Sequence, residues 1–122
     1  MATIAVGTVT FTPAPGGVSL VNYNYTLQCT TQECALPAGF TMNVSFTGID
    51  KWFHDDLATG LDPHVTNCPD SCTANISRTF PVASSELNED WGDDEVRLNL
   101  HSRPTTGGAA STSSSGTVTG NF

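Results

Sequence analysis

Basic residues are scarce: Lys51, Arg78, Arg97 and Arg103 are the only Lys and Arg in 122 residues, against twelve Asp and Glu, for a formal net charge of -8. Nucleic-acid binding needs clustered cations to displace counterions from phosphates, and no such cluster exists, so nucleic acid is excluded as a partner. Anionic membrane surfaces are disfavoured by the same argument. No apolar run approaches the ~20 residues of a membrane span. Met1 leads directly into Thr3-Ile4-Ala5-Val6, with no basic segment, longer apolar stretch or small-residue cleavage site. Either a leader has been replaced by a start codon or the chain is made in the cytosol, as a virion component released at lysis would be. Catalytic signatures are also lacking. There is no G-x-S-x-G elbow, no His-rich metal motif and no phosphate loop, and the expectation is that the chain is not an enzyme.

What is present is alternation. Val21, Tyr23, Tyr25, Leu27 and Cys29 share one face of an extended segment whose other face is Asn22, Asn24, Thr26 and Gln28. Phe40, Met42, Val44 and Phe46 repeat the pattern, as do Cys72, Ala74, Ile76, Phe80 and Val82, with Arg78 interrupting the last set. Val96, Leu98 and Leu100 form a fourth set, and Val118, Gly120 and Phe122 a short fifth. Ile4 and Val6 have the opposite parity to Val9 and Phe11, so Gly7 marks a bulge or a change of sheet. Pro13-Ala14-Pro15-Gly16-Gly17, Leu36-Pro37-Ala38-Gly39 and Arg103-Pro104-Thr105-Thr106-Gly107-Gly108 supply turns. A single helical turn is expected near Ser84 to Asn88. The length suits one domain, residues 1–122, able to bury roughly two-thirds of its unfolded surface. Short strands with regular turns predict an all-β, antiparallel β-sandwich of about seven strands.

Asp94-Glu95-Val96-Arg97-Leu98-Asn99-Leu100 resembles the E–F corner and F strand of immunoglobulin domains, with Leu98 and Leu100 where the Tyr and Cys of that pattern stand. Cys29 matches the B-strand Cys, but its F-strand partner is missing. The chain is therefore similar to bacterial and phage immunoglobulin-like domains that lack the inter-sheet disulfide. The resemblance implies strands A/A′ (3–12), B (18–29), C (40–48), E (72–82), F (95–102) and G (116–122), with a weak D or C′ strand in 49–67. Residues 105–116, rich in Gly, Ser and Thr, read as a flexible F–G loop or a tether. A tethered last strand would let Phe122 reach a neighbouring subunit. Such domains are frequent on phage exteriors, so the resemblance also implies a structural or decoration role on a virion surface, with other virion proteins or further copies of the chain as partners.

That strand order divides the loops between two poles. All four cysteines fall at one: Cys29 and Cys34 flank the B–C loop, and Cys68 and Cys72 flank the D–E loop. Of three pairings, the simplest is local, Cys29 with Cys34 and Cys68 with Cys72, each stapling its own loop. A four-thiolate zinc site is the alternative, but the C-x4-C and C-x3-C spacings depart from the C-x2-C of zinc ribbons. Disulfides are preferred, which presumes an oxidising final location.

The opposite pole gathers carboxylates. Asp55 and Asp56 in the C–D connection, and Asp90, Asp93 and Asp94 in the E–F loop, are the candidate ligands of a Ca²⁺ ion. A solvated acidic loop that maintains solubility accounts for the same residues and is preferred, with no cofactor. Trp52, Phe53 and Trp91 lie among these carboxylates, where aromatic rings could contact a partner or a host-surface glycan. They and the cysteines support the second role expected of this sequence, a secreted or cell-surface bacterial adhesion or carbohydrate-binding module.

Overall fold

The alternating segments become strands in the computed structural model, which describes residues 2–35, 39–49, 54–87, 94–105, 107 and 110–120. The strands are β1 (Thr3–Ala14), β2 (Val18–Gln28), β3 (Gly39–Ile49), β4 (His54–Asn67), β5 (Thr73–Ala83), β6 (Asp94–Pro104) and β7 (Ser111–Gly120), with short helices α1 (Thr31–Ala35) and α2 (Ser84–Leu87). One sheet has the order β1-β2-β5 and the other β4-β3-β6-β7, with every neighbouring pair antiparallel. In immunoglobulin lettering these are an A-B-E sheet and a C′-C-F-G sheet.

The inward faces are the apolar sets of the sequence. Val21, Tyr23, Tyr25 and Leu27 of β2 meet Met42, Val44 and Phe46 of β3 and Val96, Leu98 and Leu100 of β6, all buried. Each such aliphatic or Phe side chain stabilises the fold by roughly 1.5–3 kcal/mol on burial. Phe46 lies 6.1 Å from Phe80 and 5.7 Å from Phe11, ring centre to ring centre, which ties the two sheets together. Leu98 and Leu100 occupy the core positions assigned to them. Leu87, presented by the single turn α2, closes the core from below. Arg78 follows the inward parity of β5, and a carboxylate holds it at the sandwich edge.

The parity change at Gly7 is a bulge: the register shifts between Val6 and Val9, and the Thr8 N–H donates instead to Asn24 Oδ1 at 3.2 Å. Asn24 Oδ1 stands where a Cβ at position 7 would be, so any other residue there would displace the Asn24 side chain from its bond to Thr8. A second bulge interrupts β6 and β7 between Arg97 and Asn99. There the Leu98 N–H donates to Ser115 Oγ at 3.0 Å, so a buried serine replaces the missing ladder acceptor.

One expectation is sharpened and two are corrected. The weak strand in 49–67 is β4, fourteen residues long, and it pairs with β3 in the C′ position. Its three irregularities absorb the excess over the eleven residues of β3 and erase the alternation that would have revealed it. Residues 111–116 belong to no loop or tether. They begin β7, and hydroxyl bonds from Ser111 to Ser102 at 2.8 Å and from Ser114 to Asn99 at 2.7 Å secure this serine-rich strand against β6.

The second correction concerns the cysteines, which pair between loops: Cys29 with Cys68 and Cys34 with Cys72. Register is the reason. Gln28 lies opposite Thr73, and the Cys29 N–H donates to Cys72 O at 2.8 Å. Cys29 keeps the inward parity of β2 and so points across the sandwich to Cys68, just beyond β4. Cys34 rides on α1, which a reciprocal cap holds: Thr30 N–H to Glu33 Oε1 at 2.8 Å and Glu33 N–H to Thr30 Oγ1 at 3.2 Å. That helix carries Cys34 away from Cys29 and towards Cys72. With all four sulfurs bonded, the zinc alternative is also set aside. Two disulfides fit an oxidising, extracellular-type environment. No helix among the described residues is long and apolar enough to cross a membrane.

Candidate functional site

The outward parity of the four-stranded sheet places Thr41, Asn43, Ser45 and Thr47 of β3 beside Arg97, Asn99, His101 and Arg103 of β6, and these beside Thr117, Ser114 and Thr112 of β7. An outer face normally meets water, yet Ser45, Thr47 and Asn99 are buried here. They satisfy one another. Asn99 Nδ2 donates to Thr47 Oγ1 at 2.8 Å and to Ser45 Oγ at 3.3 Å, while its Oδ1 accepts from Ser114 Oγ at 2.7 Å. His101 continues the chain, with Nε2 2.7 Å from Ser45 Oγ and Nδ1 2.9 Å from Thr112 Oγ1. The imidazole is thus fixed at both nitrogens, and three strands are joined by one run of hydroxyl, amide and imidazole groups.

Beside His101 the face deepens into an open cavity of about 460 Å³, lined by Thr41, Asn43, His101, Arg103, Thr105 and Ala110 among others. Its rim is the turn after β6. The Thr105 N–H and hydroxyl both donate to Gly39 O, at 3.0 and 3.1 Å, and the Gly107 N–H donates to Pro104 O at 3.0 Å. Gly107 has φ of 96°, a conformation glycine adopts without strain. The cavity is therefore bounded by two hydrogen-bonded strands and by Thr105 and Gly107, each held by a hydrogen bond.

Charge is distributed unevenly. Lys51 lies outside the described residues, and Arg78 is paired with Asp62. The two other arginines, Arg97 and Arg103, both stand on the outward row of β6. Arg97 Nε is buried with no hydrogen-bond partner among the described residues, and Arg103 makes no ion pair among them. Exposed Glu95 lies at the far end of the same row. The stretch from Asn99 to Arg103 is thus a neutral-to-cationic island on an acidic molecule.

A second polar cluster lies between the sheets at the β4/β5 edge. A bulge in β4 turns Asp62 inward with φ of 45°. Its carboxylate accepts from Arg78 Nε at 2.9 Å, Arg78 Nη2 at 2.7 Å and the Tyr23 hydroxyl at 2.6 Å. Tyr25 OH lies 2.9 Å from His64 Nε2 and 2.5 Å from Thr66 Oγ1, and His64 Nδ1 lies 2.7 Å from Asp62 O. Burial alone would raise the Asp62 pKa, but the hydrogen bonds from Arg78 and Tyr23 and the Arg78 charge outweigh it and hold the carboxyl below its usual range. Burial, reinforced by the bond to Asp62, pushes the Tyr23 phenol well above its usual value, and burial raises Tyr25 too. Every polar partner in this cluster is internal, so it acts as a latch between sheets.

The residues singled out in the sequence are distributed differently. Trp52, Phe53, Asp90, Trp91, Asp93 and Phe122 lie outside the described residues, and so do the side chains of Asp55, Asp56 and Asp94, whose backbones lie in β4 and β6. Among the described residues no three His, Cys, Asp or Glu side chains converge as a metal site. The outward row of β6 was not singled out, although its alternating parity was legible.

No family model and no curated protein matches the sequence. The structure is similar to a solved protein from Archaeoglobus fulgidus, with a TM-score of 0.55 at 7% identity over 98% of this chain and 95% of that one. It also matches a Bordetella pertussis protein assigned as ApaA, with a TM-score of 0.44 at 11% identity over 98% of this chain and 91% of the other. At 7% identity the likeness to the Archaeoglobus fulgidus protein speaks to the fold alone.

Proposed function

We propose that this chain is a non-catalytic binding module of the adhesion or carbohydrate-binding kind, acting in an oxidising, extracellular-type setting through the outer face of its four-stranded sheet. The observation that carries this reading is the open cavity of about 460 Å³ lined by Thr41, Asn43, Arg103 and Thr105, beside His101, which Ser45 and Thr112 hold at both ring nitrogens. The buried run of Thr47, Asn99 and Ser45 supports His101 from beneath, so a ligand rich in hydroxyls meets a wall of the cavity that is already ordered. The cavity volume falls in the ordinary range for small-ligand sites.

The same geometry argues against catalysis. Ser45 and His101 are 2.7 Å apart, the spacing of a nucleophile and its base, but the other imidazole nitrogen faces the Thr112 hydroxyl where a triad has a carboxylate. Ser45 Oγ also accepts from Asn99 and is buried in mid-strand.

Decoration of a virion surface is the second reading. A self-contained sandwich whose sheets are joined by disulfides and by an ionic latch suits display on a lattice. Affinity chromatography on immobilised glycans, followed by light scattering of the oxidised protein with and without EDTA, separates the two. The binding-module reading expects a monomer retarded by at least one glycan, with Asn43→Ala reducing retention. A stable higher oligomer with no glycan retention would overturn it in favour of the virion reading.

A further inference from the structure

Resting on the binding-module reading, we infer that the cavity beside Arg103 takes an acidic saccharide, a sugar bearing a carboxylate, in preference to a neutral one. Cations are few enough for their placement to matter. In a chain with net charge -8, one arginine is consumed by Asp62, and the remaining two share a single strand face. Arg103 lines the cavity and is exposed, with no ion pair among the described residues. The net charge of -8 repels an approaching anion, and Arg103 supplies a local positive charge at this cavity.

The lining then narrows the chemistry. Thr41, Thr105 and Asn43 offer hydroxyl and amide groups that can both donate and accept, as vicinal sugar hydroxyls require. The described lining contains no Phe, Trp or Tyr, so a neutral pyranose has no ring on which to stack its apolar face. Affinity must come from the guanidinium instead, whose planar fork matches a carboxylate with two parallel bonds. A lone phosphate would leave most of a cavity of about 460 Å³ unfilled, whereas a sugar acid fills it and meets both the guanidinium and the amide wall. His101, fixed through Ser45 and Thr112, forms the rigid side of the site two residues from Arg103. Side chains two apart on a strand lie about 7 Å from each other, which is close to the width of one pyranose ring.

The test is amide NMR on the oxidised full chain, titrated separately with tri-galacturonate, N-acetylneuraminic acid and, as neutral probes, tri-galactose and N-acetylglucosamine. Saturable shifts are expected at Thr41, Asn43, His101 and Arg103 with one of the acidic probes, at least about tenfold tighter than with any neutral probe. Arg103→Gln should weaken the acidic probe about tenfold or more, the loss of one charge-assisted pair, while leaving the thermal midpoint unchanged because the side chain is exposed. Equal binding of neutral and acidic probes at these residues would sink the acidic preference and leave the binding-module reading standing. Acidic-probe binding that survives Arg103→Gln would sink the assignment to this cavity. Shifts with no saccharide at all would overturn both.

Discussion

At the β4/β5 edge the sandwich is closed by a carboxylate, a guanidinium, two phenols and an imidazole, with the Cys29–Cys68 bridge at the end of the seam. At the β1/β7 edge the described polar link is one bond, the Val6 N–H to Ser113 Oγ at 3.4 Å. The difference follows from strand shape. β4 carries three irregularities that turn it away from a regular edge and bring Asp62 inward, where only paired charge can be buried. β1 packs Val6, Val9 and Phe11 against the core and needs no further tie. One edge is thus held by specific chemistry and the other by shape and apolar contact.

The contrast between the edges is tested most severely at the covalent end. Replacing Cys29 and Cys68 together by Ser frees a loop of 39 residues, and the chain-entropy relation puts the loss at about 4 kcal/mol. Urea unfolding of the variant should show it, less whatever the Cys34–Cys72 bridge retains. Next in size is Asp62→Asn, chosen because Asn tolerates the positive φ that Asp62 adopts. It removes the charge that Arg78 and Tyr23 share and should cost about 2 kcal/mol, the range for a charge-assisted bond, since the Arg78 side chain is 34% exposed and partly screened. A loss within error would mean that the latch is not closed in solution.

Acid and alkali should act on the two edges differently. The folded-state pKa of Asp62 is depressed, so its contribution is present above the unfolded value of about 4 and is lost as pH falls through the lower folded value. The folded-state pKa values of Tyr23 and Tyr25 are raised, so their contribution is complete below the unfolded value of about 10 and is lost as pH rises beyond it. Thermal midpoints should therefore fall at both extremes, and Asp62→Asn should flatten the acid limb. The smallest effect is expected at the other edge. Ser113→Ala removes one long hydrogen bond and should cost about 0.5 kcal/mol or less, with no change in either pH limb.

Much of the sandwich is legible in the sequence, because a half-buried strand writes its burial into alternate residues. β2, β3 and β6 keep strict parity and present one face to the core, and they are read, like β1 and β5, with the right bounds to within a residue or two. β4 hides because Gly60, Asp62 and Pro63 sit in its irregularities, and each extra residue reverses the parity of every later one. β7 hides because its inward residues are small: Ser113 and Ser115 pack beneath β1 and β6 where a longer strand would show Val or Ile. The cysteine pairing is a tertiary fact that depends on the β2/β5 register, which no spacing encodes. The reciprocal Thr30-x-x-Glu33 cap was a readable signal for α1, and with it the separation of Cys34 from Cys29. For the candidate site, composition directed attention to where charge is dense, the acidic loops. The cationic row was recoverable from parity alone, since Arg97, Asn99, His101 and Arg103 alternate with the core leucines. The Asp62 latch was not, because nothing local distinguishes that carboxylate from the other eleven Asp and Glu.

The interleaved bridges have a mechanical side. Cys29 joins Cys68 and Cys34 joins Cys72, so everything from the end of β2 to the start of β5 is enclosed by sulfur. Under tension applied through β1 and β7, the oxidised chain can unravel only outside that enclosure. At about 3.3–3.6 Å per extended residue, a span of 39 residues withholds roughly 130–140 Å of contour length until a reductant releases it. β3 and the latch strand β4 fall wholly within the shielded span, and β6, with Arg97 and Arg103, falls outside it. A load on the ends acts directly on β6, whereas β3 and β4 carry none of it until a reductant cuts the bridges.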